Sequence, residues 1–134
     1  MRFGPVNIWA ILIGTVFNMV LGALWYSPAL FGNLWLRSIG RERDEIESNP
    51  TDYVWSALAG LVAALVLNLV VRAFGASTFA HGALIGALVC VGFCATASLV
   101  YTLFEGPPKK VWLVFASYQL VVYVAEGILF ALWV

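Results

Sequence analysis

Charge is scarce in this chain. Asp, Glu, Lys and Arg make up 10% of its 134 residues, seven acidic against seven basic, beside one histidine and two cysteines. An even balance without a basic surface excludes nucleic-acid binding. Two cysteines frame no disulfide scaffold, and their number decides nothing about redox compartment. The five prolines, Pro5, Pro28, Pro50, Pro107 and Pro108, all avoid the interiors of the long apolar runs, so nothing breaks a helix there. No phosphate-cradling glycine loop is present. No serine or cysteine nucleophile stands at workable spacing from a histidine and a carboxylate. Catalytic residues, cofactor and metal site are therefore all read as none, and the chain is not expected to be an enzyme. A lipid- or quinone-linked activity is the one enzymatic class left open.

What is abundant is apolar sequence, 63% of the chain. A spanning helix needs about 20 mostly apolar residues at a rise of about 1.5 Å each. Runs over residues 6–26, 53–74, 79–104 and 111–134 meet that requirement. A barrel would alternate apolar and polar residues in segments of about ten, whereas these segments are apolar throughout. The first run reads as a span and not as a cleaved signal peptide, because it is too long and ends in Trp25-Tyr26-Ser27-Pro28 instead of small residues. The reading is a single all-α membrane domain: four transmembrane helices in an up-down bundle, with a short interfacial helix after the first.

An even number of crossings puts both termini on one side. Arg37, Arg41, Arg43, Lys109 and Lys110 flank the first and third connections, against Arg2 and Arg72 on the terminal side. The positive-inside rule then places those connections in the cytoplasm and both termini outside. In the interfacial segment, 28–40, Pro28 ends the first span. Phe31, Leu34, Trp35 and Ile39 then recur at helical spacing, a face expected to dip into lipid. The mixed-sign segment 41–47 reads as a solvated loop, and Asn49 or Thr51 as the cap of the second span.

Trp25-Tyr26-Ser27-Pro28, followed by Phe31-Gly32 and Trp35, resembles the signature of small bacterial membrane proteins grouped as domain of unknown function 1761. The four-crossing layout is similar over the full length. The resemblance implies this architecture and a bacterial inner-membrane location, and it carries over no catalytic or binding residue. Physically the motif reads as an anchor: Trp25, Tyr26, Phe31 and Trp35 suit the membrane interface, Pro28 stops the helix, and Gly32 lets the chain turn flat.

Small and polar residues recur every fourth position, which places each set along one helix face. Ala10, Gly14, Asn18 and Gly22 mark the first span, and Ser56, Gly60, Ala64, Asn68 and Arg72 the second. Gly82, Gly86, Cys90, Cys94 and Ser98 mark the third. Lipid gives helices no hydrophobic drive to associate, so such faces read as packing seams, with Cys90 and Cys94 as packing residues. His81 lies nine residues from Cys90, about 13 Å along a helix, too far to share one metal ion.

Because the spans alternate in direction, distant residues share depths. Asn18, Thr96 and Gln119 are expected to form one hydrogen-bonded layer. Asn7, Asn68, Arg72, His81 and Glu126 fall in the outer third. Glu126 is the one acidic residue well inside a span, where an unpaired charge costs about 3 kcal/mol or more. It requires a partner or a proton. Two functions follow. In the first, the chain is an assembly or interaction subunit that self-associates or docks on a larger membrane complex, with Glu126 fastened to Arg72 or His81. In the second, it is an oligomeric proton, cation or small-solute permeation unit using Glu126 and His81. Membrane lipids are partners in either case.

Overall fold

A computed structural model of the chain describes residues 6–42, 44 and 49–133. Arg2, Arg43 and residues 45–48, and with them part of the loop and of the charge count above, lie outside the described residues. Six α-helices run in order: α1 (Ile8–Trp25), α2 (Gly32–Ile39), α3 (Pro50–Ala73), α4 (Phe79–Val89), α5 (Thr96–Phe104) and α6 (Lys109–Leu132). A π-helical turn over Cys90–Ala95 joins α4 to α5, and no strand occurs among the described residues. Four rods are long and apolar enough to cross a membrane: α1, α3, the continuous Phe79–Phe104 rod, and α6. The short α2 completes the all-helical architecture read from the sequence.

Local chemistry sets the helix ends. The Asn7 side chain accepts from Ala10 N at 3.1 Å and opens α1. Asn49 accepts from Thr51 N at 3.0 Å, with Pro50 in the first turn behind it. That pairing of cap and proline starts α3 three residues before position 53, because a capped first turn needs no apolar side chains. Gly75 ends α3 at φ 65°, a left-handed conformation that glycine adopts without strain. Thr78 then caps α4 through His81 N at 3.2 Å.

Large apolar side chains face outward along all four rods, among them Trp55 at 66% exposure and Phe104 at 83%. Water would not tolerate so continuous an apolar exterior, whereas acyl chains match it. The interior core is concentrated at one end. Ala10, Ile11, Ala64, Leu67, Val71, Ala76, Ile85, Phe130 and Ala131 cluster where α1 begins, α3 turns into α4, and α6 ends. Glycines let the backbones close there. A β-carbon on Gly82 would strike the Gly127 carbonyl oxygen, and one on Gly86 the Tyr123 carbonyl oxygen, so α4 and α6 touch main chain to main chain.

The π turn keeps the third rod on α6. Residues spaced by four drift about 40° per step on a helix of 3.6 residues per turn, roughly 160° from Gly82 to Ser98. A wider turn absorbs much of that drift. Ser98 accordingly still reaches α6, where the Trp112 indole donates to Ser98 Oγ at 3.1 Å and to the Ala95 carbonyl at 3.2 Å.

At the opposite end from the core, the Trp25–Trp35 motif folds into a corner. Gly32 N donates to Ser27 O at 2.9 Å, Phe31 N to Trp25 O at 2.9 Å, and Ser27 Oγ to Leu24 O at 2.6 Å. A side chain at Gly32 would overlap the Tyr26 and Ser27 carbonyls. The Trp25 indole donates to Val114 O of α6 at 3.1 Å. Trp25 packs on Phe31 with ring centroids 4.9 Å apart, and Tyr26 meets Trp35 edge to face at 5.3 Å. α2 buries Leu36, a residue outside the apolar set read from spacing, while Phe31 and Leu34 stay exposed. The corner turns α2 so that the Leu36 face meets the bundle.

Candidate functional site

The small-residue stripe of α1 faces both α3 and α6, and it fixes the depth of every polar group between them. A β-carbon on Gly14 would lie 3.2 Å from Glu126 Oε1 and 3.2 Å from Phe130, and one on Gly22 would press on the Tyr118 hydroxyl. Asn18 Nδ2 lies 3.2 Å from the corresponding point on Gly60. α1 is therefore antiparallel to α3 and to α6. Asn68 lies eight residues past Gly60, about 12 Å further along α3, beside the start of α1 and about one turn from the Gly14–Glu126 level.

Both side chains are sealed inside: Asn68 is 0% exposed and Glu126 2%. Asn68 Nδ2, Asn68 Oδ1 and Glu126 Oε1 are buried without a hydrogen-bond partner. An unsatisfied buried polar group costs about 1–3 kcal/mol, and native structures carry few of them. Three such atoms on two side chains, one helical turn apart in depth, mark this junction of α1, α3 and α6 as the candidate site.

The other three members of the outer cluster stand at its rim. Asn7 caps α1 and donates to the Trp133 carbonyl at 3.1 Å, tying the start of α1 to the end of α6. His81 is exposed at the start of α4, and Arg72 is half-buried near the end of α3. Among the described residues no ion pair or hydrogen bond joins Glu126 to either of them, so the expected fastening is not made. His81 neighbours Gly82, which packs on Gly127. Its depth is thus within about a turn of Glu126, but its side chain points to the outside of the bundle.

Nor does the second layer assemble. The Thr96 hydroxyl is exposed and donates within its own rod, to Gly92 O at 2.8 Å. Gln119 is half-buried. Asn18 is engaged by Tyr118, whose hydroxyl lies 2.8 Å from the Asn18 carbonyl oxygen and also meets the Asn18 side-chain amide. Tyr118 stands 6.1 Å from Tyr26 and 6.3 Å from Trp25, linking α1 and α6 to the aromatic corner. Cys90 is buried and Cys94 half-buried, both as free thiols.

Three participants escaped the sequence reading: Tyr118, Trp112 and Gly127. For Gly127 a signal existed, since Gly127 and Ala131 form a small-xxx-small pair on α6 and both meet Gly82. Tyr118 and Trp112 carry no local signature within an apolar helix.

Comparison with curated proteins and with solved structures finds no match. A family model does match, over residues 9–131, and its description reads "Protein of unknown function (DUF1761)". The match runs from the second residue of α1 to the last turn of α6 and takes in the aromatic corner, the glycine seam and the buried Asn68 and Glu126. The chain belongs to the DUF1761 family.

Proposed function

We propose that this protein is an integral membrane bundle that binds a proton or a cation between α1, α3 and α6, on Glu126 and Asn68. One observation carries the reading: Glu126 Oε1 and both polar atoms of the Asn68 amide are enclosed with nothing to bond. A proton, a cation or a water held by both would satisfy them, and carboxylate and amide oxygens are the donor types that hard cations take. An ionisable group enclosed in a span is a functional site by default, because stability alone favours an apolar side chain there. In this reading the site needs no catalytic step or resident cofactor. The protein sits in a bacterial inner membrane, with α2 on the cytoplasmic face and both termini outside.

The test is uptake into liposomes carrying the full chain, read with proton- and cation-sensitive dyes under an imposed gradient. Wild type is expected to exceed empty liposomes. Glu126→Gln, which keeps size and hydrogen-bonding capacity, is expected to lower uptake at least tenfold while the thermal unfolding midpoint holds. Equal uptake by the two proteins, or none above empty liposomes for wild type, sinks the reading.

A second reading, a subunit that self-associates or docks on a larger membrane complex, draws on a different surface from the one the sequence suggested. Gly14, Gly22, Gly60, Gly82 and Gly86 all pack inside one chain. Small residues that face outward include Ser56, Ala59 and Gly92, the last with open space where a β-carbon would stand. Self-association through them predicts a defined oligomer in mild detergent that Gly92→Leu disperses.

A further inference from the structure

A second polar feature lies at the membrane face that carries α2, away from Glu126. An open-sided cavity of about 380 Å³ separates α2 from the start of α6, lined by Leu34, Arg37, Ser38, Pro108 and Lys110. Leu34, Arg37 and Ser38 stand at i, i+3 and i+4 and so share one side of α2. The opposite wall opens α6, which begins at Lys109 behind Pro108 with no side chain capping its first turn. Two cations from separate elements therefore converge on one hollow, beside backbone N–H groups that a helix start leaves free. The nearest acid in that connection, Glu105, ends α5 and is not among the lining residues.

The rest of the lining matches a particular kind of anion. Leu34 and Pro108 supply apolar surface beside the two cations. The cavity also lies where α1 has just ended and α6 has just begun, at the level of the lipid headgroups. Arg37 is oriented on α2 by its Nε, which donates to the Asn33 carbonyl at 3.4 Å. Ser38 Oγ gives its hydrogen to the Leu34 carbonyl at 2.7 Å, which leaves the two basic groups as the side-chain donors for a ligand. A free anion needs only the cations; a phospholipid uses the apolar wall as well, for its glycerol and the first methylenes of its acyl chains.

We propose that this cavity is a binding site for the phosphate headgroup of an anionic phospholipid, held by Arg37 and Lys110. It works independently of the buried Glu126–Asn68 site and holds α2 against the bundle at the interface. A cation near a membrane surface raises anionic-lipid affinity roughly fivefold, so the pair is expected to give a preference well above tenfold over zwitterionic lipid.

The test uses the full chain in detergent micelles doped with phosphatidylglycerol or phosphatidylcholine, with retained lipid read by native mass spectrometry and stability by thermal unfolding. Wild type is expected to retain phosphatidylglycerol in preference and to unfold at a higher temperature with it. Arg37→Gln with Lys110→Gln should bring the two lipids to equal retention. Both side chains are exposed, and a salt titration of wild type gives a second reading that needs no variant: the preference should fall as ionic strength rises. Equal retention of both lipids by wild type overturns the proposal, as does an undiminished preference in the double variant. Inorganic phosphate matching phosphatidylglycerol in stabilisation would also overturn it, since the site would then serve a free anion.

Discussion

The two ends of this bundle differ in a way that stability alone would reverse. At the α2 end, side chains are spread and many face outward, yet three polar aromatic groups there are bonded between elements: the Trp25 indole to Val114, the Trp112 indole to Ala95 and Ser98, the Tyr118 hydroxyl to Asn18. At the end where α3 turns into α4, the packing is densest, and there Asn68 and Glu126 hold three enclosed atoms with no partner. A chain shaped only for stability would put its unsatisfied groups where the structure is loose and water or lipid headgroups can reach. The dense end therefore spends stability on something other than packing.

Breaking the dense end should show the largest effect. Gly86→Leu places a side chain against the Tyr123 carbonyl and the Val124 backbone, where only backbone movement makes room. A loss of about 3 kcal/mol is expected, measured as reduced resistance to thermal or detergent unfolding. The comparison sharpens with Asn68→Val, which removes two orphan atoms and keeps the core filled. It should stabilise the protein by about 1 kcal/mol while abolishing the uptake that Glu126 supports; a destabilised variant would show that Asn68 already has a resident partner. The smallest effect belongs to the satisfied end. Tyr118→Phe gives up one interhelical hydrogen bond, expected to cost about 0.6 kcal/mol in a membrane setting, detectable as a slightly lower unfolding midpoint with uptake unchanged.

The span positions were legible because length and apolarity answer to the thickness of a bilayer, and the ends because Asn7, Asn49, Gly75 and Thr78 are local signals that act within a turn. Thr96 does not stand at the depth expected, since its neighbour Ala95 meets Trp112 and not a residue near Gln119; for Asn68 and His81, helical rise made a depth near Glu126 legible. Their direction was not. Asn68 and His81 fall within about two turns of depth of Glu126, but one faces the interior and the other the outside. That angle depends on which neighbour each helix meets, a property of the whole bundle and not of the local sequence. The four-residue stripes pointed to helix faces, and the structure packs their glycines within the chain while leaving Ser56 exposed. The π turn left no mark in the pattern of apolar residues, because every residue around it is tolerated on a lipid-facing surface.

That wide turn at Cys90–Ala95 acts as a slip coupling in the third rod. Removing one of its residues would swing α5 by about 100° and carry Ser98 away from Trp112, while Gly82 and Gly86 stayed seated on α6. The width of one turn thus decides which face the far half of the third rod offers to its neighbour.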